Sequence, residues 1–570
     1  MPSAPQPRER QITIIAQDPS VKVDGRILTS RIRIPAETLR PGPVGYRVEV
    51  IDYDATHNTF YLPQPAPPTE SEDDDPFEGY SDERLVKDPV FHRFNAYALV
   101  MRTLARFEFA LGRRIGWGFY GHQLKIAPHA FADANAFYSE KDHALLLGYF
   151  PGRKGMVFTC LSHDVVVHET THALVDGLRE RYTEPSSPDQ AAFHEGFADV
   201  VALLSVFSLR GIIEMMIDAT DALRDRRLVS TGVLTADALR ESIIFGLAEQ
   251  VGQETDPEIG ASRGKALRRS LELLPDTKYV EQEEFLEPHR RGEILVAAVL
   301  NAFIDMWTQR LDALVEDRVR VDRARAVEEG SDIAATLLTS AIRALDYAPP
   351  VDITFGDYLS ALLTADREIR PSDLRYDLRT TIRKSFAAYG IPPASSETDG
   401  YWPGAPEDLE YGRTHFEGMQ RDRDEVFHFI WENRKQLKLD EEAFTYVTSV
   451  RPCTRVGEDG FVLHETVCEY LQILEPVARE LTALEVETPE GMPDEQKVRL
   501  YGGGTLVFDE YGRLKFHVCN PLSSERQSER IRYLWKYGFY KKGALLRLLF
   551  SGLHRRRAAG VSDTSREEEW

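Results

Sequence analysis

The stretch "DVVVHETTHALVDG", Asp164–Gly177, constrains this chain more than any other. His168 and His172 stand four residues apart, and a helix puts residues so spaced on one face. Val165, Val166, Val167, Ala173, Leu174 and Val175 surround them with apolar surface, so the pattern predicts a helix packed on one side. Two imidazoles on that face can bind one metal ion. Glu169, one position on, cannot be a third ligand in the same plane, but it can reach a water bound to such an ion. H-E-x-x-H alone is not decisive in a chain with 15 histidines, because an ordinary helix can carry the same letters.

A tetrahedral zinc site takes three protein donors and a water, so a further donor is needed. "HEGFADVVALL" at 194–204 offers one. Glu195 lies 23 residues beyond His172, room for a helix end, a loop and the start of a second helix. Asp199 is one helical turn further, where a carboxylate can orient a ligand histidine through its second ring nitrogen.

"DVVVHETTHALVDG" followed by "EGFAD" resembles the thermolysin-like metallopeptidases, the gluzincin group. The resemblance implies His168, His172 and Glu195 as zinc ligands, Glu169 as general base, and Asp199 as the partner of His168. It extends over about residues 90–392. "DANAFYSEKDHALLLGYF" is similar to the family's edge strand, whose Asn-Ala pair holds the substrate backbone and falls here on Asn135 and Ala136. "GKALRRS" resembles the segment whose arginine binds a substrate carbonyl, here Arg268. "EPHRRGEILVAAVLNAF" resembles the start of the helix bearing the transition-state donor, here His289.

Two features depart from the family. The segment between His172 and Glu195 is longer than usual, and its tyrosine, Tyr182, is the available match for the family's oxyanion donor. The acidic residues of the family's double calcium site are not evident after Asp199; Asp164 matches one of them alone. Two rival readings follow. An aminopeptidase would use the same zinc motif but needs an acidic anchor for the free amine, and the usual G-x-M-E-N run is not found here. An interaction protein could keep the metal for stability and act through its C-terminal region.

The expected fold is α+β. A thermolysin-like two-lobed unit pairs a strand-rich N-terminal lobe with a helical C-terminal lobe, the zinc cleft between them, and a further α+β domain follows. Residues 1–66 read as a β-rich segment, with "QITIIAQ", "SRIRIPA" and "YRVEVIDYD" as strands. Residues 67–88, proline-rich and then acidic, read as a solvated linker. Residues 89–393 form the expected metallopeptidase domain, opened by the helical "FHRFNAYALVMRTLARFEFALG". The Pro/Gly/Ser break "YGIPPASSETDGYWPGAP" then introduces the C-terminal α+β domain, 394–570, whose last strand pair turns at Asp509–Gly512. In "HETVC", His464–Cys468, the motif is nearly repeated, but on an alternating strand pattern that reads as structural. His163 reads as a partly exposed polar residue.

Composition excludes some partners. A net charge of -23 argues against nucleic acid, whose phosphates need a basic surface. The expected partner is a protein or peptide substrate. The basic tail 526–557 reads as a domain helix with solvated or self-paired charges in preference to a lipid-binding surface. Four scattered cysteines make no disulfide framework, and the first twenty residues show no apolar leader core, so the expected location is cytoplasmic. Nothing in the pattern sets an oligomeric state.

Overall fold

The computed structural model describes residues 9–70, 74–119, 121–152, 155–220, 227–246, 270, 272–315, 320–457, 459–522 and 525–541, and shows a mixed α and β chain. Strands β1 (Glu9–Ile15) and β2 (Thr29–Pro35) pair antiparallel, with Ile12 opposite Ile32. Their alternation turns Ile12, Ile14, Ile32 and Ile34 inward. Next comes the five-stranded sheet that frames the site. It uses β3 (Val48–Val50), β4 (Leu124–Ala132), β5 (Ala136–Ser139), β6 (Ala144–Gly152) and β7 (Gly155–Phe158). The order is β7-β6-β4-β3, with β5 paired antiparallel to β6.

Within the expected linker, the part from Asp75 to Asp88 is packed on the fold, not solvated. Phe77 is fully buried, its ring 5.4 Å from Phe91 and 5.3 Å from Phe94. Asp75 accepts the Thr13 hydroxyl at 2.5 Å, and Asp82–Lys87 forms a short helix. One aromatic residue in a polar run was enough to dock the segment onto the core, because burying a phenyl ring outweighs the polar character of its neighbours.

The helices follow their capping signals. Helix α1 (Pro89–Leu111) starts with Asp88 accepting from the Val90 amide and Pro89 in the first turn, and ends at Gly112 in the left-handed region. Helix α2 (His163–Leu178) carries the H-E-x-x-H motif and is buried almost throughout. Helix α3 (Pro188–Phe207) is capped by Ser187 and carries Glu195 and Asp199. Helix α4 (Pro288–Ala313) is capped by Glu287 and carries His289. It is long and apolar enough to cross a membrane by length and composition, yet 72% of its apolar window is buried inside the fold. Helices α5 (Arg323–Arg343), α6 (Phe355–Ile369) and α7 (Leu378–Ala388) follow, and Arg210–Thr220 and Ala236–Gly246 are also helical.

Beyond the Pro/Gly/Ser break, strands β8 (Phe444–Val456), β9 (Val462–Leu474), β10 (Leu500–Phe508) and β11 (Leu514–Asn520) form an antiparallel sheet in chain order. The sheet is separate in its hydrogen bonding but not in its core. Leu506 and Phe508 pack on one side with Phe429 and Ile430, while Val507, Phe516 and Val518 belong to the main core of the chain. Residues 394–570 are therefore not an independently packed unit over the described residues. In the basic tail, helix α8 (Glu525–Lys536) pairs Arg526 with Asp357 at 2.8 Å and Arg530 with Asp352 at 3.4 Å. Residues beyond 541 lie outside the described residues.

Buried charge joins the sheet to the helices. Arg455, fully buried on β8, pairs with Asp346 and Glu465, and Arg113 also pairs with Asp346. Tyr347 donates to Glu465 at 2.7 Å. Arg179, just past α2, pairs with Glu469. Burial alone would raise the Asp346 pKa, but Arg113 and Arg455 outweigh it and hold the carboxyl below its ordinary value. A depressed carboxylate contributes stability that is present in full above its unfolded pKa and lost as pH falls through the folded one. Asp346→Asn should cost about 3–5 kcal/mol in denaturant unfolding at neutral pH, because it strips a buried counter-charge from two arginines. The deficit should hold from neutral pH down to the ordinary carboxylate value of 3.8.

Candidate metal centre

Helices α2 and α3 bring His168, His172 and Glu195 together as a fully buried group whose candidate ligand atoms all lie within 4.8 Å of one another. His168 Nε2 lies 3.4 Å from Glu195 Oε2, and His172 Nε2 lies 3.7 Å from Glu195 Oε1. Both separations are long for a charge-assisted hydrogen bond, but suit three atoms arranged around a common centre.

The opposite ring nitrogens show why the Nε2 atoms face inward. His168 Nδ1 contacts Asp199 Oδ1 at 2.6 Å, as the sequence spacing anticipates. His172 Nδ1 contacts His194 Nδ1 at 2.9 Å. With Nδ1–H donated outward, each imidazole presents the Nε2 lone pair to the common centre, which is how a ligand histidine is oriented. The donor set of two imidazoles and a carboxylate, closed off from solvent, fits a transition ion such as zinc. These three residues can hold a metal ion.

Glu169, on the same helix, is fully buried but stands outside the ligand triangle. Its Oε2 accepts the amide of Tyr138 on β5 at 3.0 Å. The Tyr138 hydroxyl donates to Asp176 at 3.1 Å, one residue thus clamping the strand to α2 at two points. His289 Nε2 lies 3.6 Å from Glu195 Oε2, while its Nδ1 contacts Glu287 at 2.6 Å. Burial pushes the Glu287 carboxyl up, but the His289 contact and the backbone amides it caps bring it down to about 2, so it stays ionised beside the ring.

Close packing of α3 on α4 brings His289 near Glu195. A Cβ on Gly196 would lie 2.9 Å from the Gly292 carbonyl oxygen, and one on Gly292 would lie 3.0 Å from the Gly196 nitrogen. The two backbones touch where neither residue has a side chain. Glu195 precedes one glycine and His289 lies three residues before the other.

Other sequence candidates fare differently. Asn135 and Ala136 lie at the start of β5, where the Ala136 amide donates to Asn135 Oδ1 at 2.9 Å. Tyr182 does not join the site. It is fully buried, packs its ring on Phe193 at 5.6 Å, and donates its hydroxyl to the Pro349 carbonyl at 2.6 Å. The long 173–194 segment folds back into a 3-10 turn, Glu180–Thr183, which directs that hydroxyl into the core. Arg268 lies outside the described residues. His163 is fully buried and contacts Ser205 at 3.0 Å, not partly exposed. Sequence reading missed His194, Tyr138 and Glu287. For the first and last, adjacency was the available signal: His194 directly precedes Glu195, and Glu287 occupies the cap position before His289.

Comparison of the sequence with family models and with curated proteins finds no match. The site therefore rests on its own geometry.

Glu195→Ala should remove one equivalent of bound metal per folded chain, read by metal analysis after dialysis. Asp199→Asn, which keeps the shape but weakens the acceptor behind His168, should lower metal affinity about 10–100-fold. Gly292→Ala should lower stability by about 1–3 kcal/mol, since its methyl must force two helix backbones apart; the thermal midpoint reports it.

Proposed function

We propose that the protein is a zinc-dependent metalloendopeptidase of thermolysin-like plan, acting on protein or peptide substrates in the cytoplasm. In this reading β1–β7 supply the strand-rich lobe, α2–α7 the helical lobe, and the cleft runs between β5 and α2. One observation carries the proposal. Glu169, next in sequence to His168 of the metal-binding triangle, is a carboxylate oriented by a strand amide, and His289, a histidine paired with an ionised carboxylate, reaches Glu195 of that triangle. A site kept only for stability has no use for Glu169 or for the His289–Glu287 pair. An aminopeptidase needs an acidic amine anchor, which the sequence does not supply in its usual form.

Zinc, when held by His168, His172 and Glu195, supplies a Lewis acid that makes a water acidic near neutral pH. The chain's own residues do the rest. Glu169, its Oε2 fixed by the Tyr138 amide, takes the proton of the attacking water at Oε1 and delivers it to the leaving amine. Asp199 and His194 hold the two ligand rings in their orientation and tautomer. His289, its Nδ1–H given to Glu287, would in its doubly protonated form donate Nε2–H to the developing oxyanion. Ala136–Ser139, paired on one edge to β6, offers the substrate a strand to lie against. No step is assigned to Tyr182.

Glu169→Gln should keep the fold and the metal but lose peptidase activity by several orders of magnitude, because an amide cannot accept the water's proton. His289→Ala should lower kcat about 10²–10³-fold, the size of a lost oxyanion donor. Digestion of an unfolded protein substrate, with metal content measured on the same samples, reads both. Wild-type turnover by Glu169→Gln, or an inactive wild-type protein with full metal, would refute the enzyme reading.

A further inference from the structure

A second group of metal-ligating side chains lies away from the first. His92 on α1, His129 on β4 and Cys160 in the turn before α2 are all buried, with candidate ligand atoms within 4.8 Å of one another. The hydrogen bonds around them define the tautomers. His92 Nε2 lies 2.9 Å from the Val86 carbonyl, which only accepts, so Nε2 carries the proton. His129 Nδ1 lies 3.0 Å from an Asp52 oxygen, an acceptor whose carboxyl stays ionised against burial through His129 and Arg93. The remaining nitrogens, His92 Nδ1 and His129 Nε2, face each other at 2.9 Å.

Two neutral rings in these tautomers would point lone pairs at one another. A cation has to reconcile them: a proton shared between the rings, or a metal ion drawn to both. The outward bonds to a backbone carbonyl and a carboxylate are the arrangement that orients ligand histidines around a metal. Cys160 Sγ completes a set of two nitrogens and one sulfur, which selects thiophilic ions. Charge adds to the argument. Arg93 already neutralises Asp52 at 2.8 Å, so a shared proton would leave one positive charge beside the Phe158 ring, 4.6 Å from His92 and 5.5 Å from His129. A monovalent ion with the Cys160 thiolate leaves none. A cavity of about 330 Å³ is lined in part by Asp52, the carboxylate that contacts His129, and by Tyr61 and Arg93.

We propose that His92, His129 and Cys160 form a second metal site, taking a thiophilic d¹⁰ ion, Cu⁺ or Zn²⁺. On binding, the Cys160 thiol proton and the proton shared by the two rings leave to solvent, and the ion accepts lone pairs from His92 Nδ1, His129 Nε2 and Cys160 Sγ. The ion would staple α1 and β4 to the turn that launches α2. Cys160 lies three residues before the first residue of α2, and the Asn95 side chain of α1 already donates to the Cys160 carbonyl at 2.8 Å. This site does not depend on the peptidase reading.

The test uses the full chain carrying His172→Ala, so that the first group is disabled. Titration with Co²⁺, the spectroscopic stand-in for zinc, should bind one equivalent with near-ultraviolet sulfur-to-metal charge-transfer absorption. Cys160→Ser should abolish that absorption, and His129→Gln should weaken binding at least 10-fold, by loss of one of three ligands. A parallel anaerobic titration with Cu⁺ against a chromophoric chelator separates the two ions. If the Cys160 variant does not fold, X-ray absorption on the metal-loaded His172→Ala protein reads the metal–sulfur shell directly. Failure of both ions to bind, or binding with no sulfur in the shell, would overturn the site and leave a shared proton in its place. Neither outcome bears on Glu169 or on turnover.

Discussion

The contact between Gly196 and Gly292 is the constraint that brings His289 to the candidate metal centre. Two helices ordinarily keep their axes 8–10 Å apart because side chains fill the space between them. Here the backbones meet, since a methyl group on either glycine would fall 2.9–3.0 Å from a backbone atom of the other. That approach carries Glu195 on one helix to 3.6 Å from His289 on the other. A polar group reaching across a wider gap would need a longer, looser side chain. The close approach lets short, rigid ones do it.

Depth raises the stakes for each polar atom so placed. His168, His172, Glu169 and Glu195 are essentially inaccessible, and a buried ionisable group is tolerated only when its neighbours satisfy it. The surrounding groups meet that demand in pairs: Asp199 behind His168, His194 behind His172, Tyr138 behind Glu169, Glu287 behind His289. The same rule governs the junction with the C-terminal sheet. Arg455 has no exposure and stands between two carboxylates, and its neighbours Arg113 and Tyr347 each share one of them. Breaking one member of such a network exposes the others to an uncompensated low-dielectric environment.

Periodicity made much of the chain readable in advance, and capping residues that this reading did not use stand at the same helix ends. Pro89, Pro188 and Pro288 each open a helix behind an Asp, Ser or Glu cap, and Gly112 closes one. Alternation on β8–β11 and the turn at Asp509–Gly512 were equally legible, because strand pattern and turn chemistry are local. Within the site, spacing four on α2 and on α3 anticipated which side chains share a face, and His168–Asp199 follows from it. Tyr182 was misplaced because its register depends on how a long segment folds, and the Pro349 carbonyl that claims its hydroxyl is 167 residues away. Phe77 was missed because composition averages over a segment and cannot see one ring entering a core.

The sequence by itself showed that His168 and His172 share a face with Glu169 next to the first, since four-residue spacing on a helix is a property of the local chain. Only the tertiary structure decided what supports those side chains. That His194 backs His172, that Tyr138 clamps Glu169, that His92, His129 and Cys160 converge, and that the C-terminal sheet shares the main core all depend on contacts between distant segments. Local pattern says which face a residue takes on its own element. Which other element covers that face is set by packing over the whole chain, where volume, buried charge and the close approach of two glycines are resolved together.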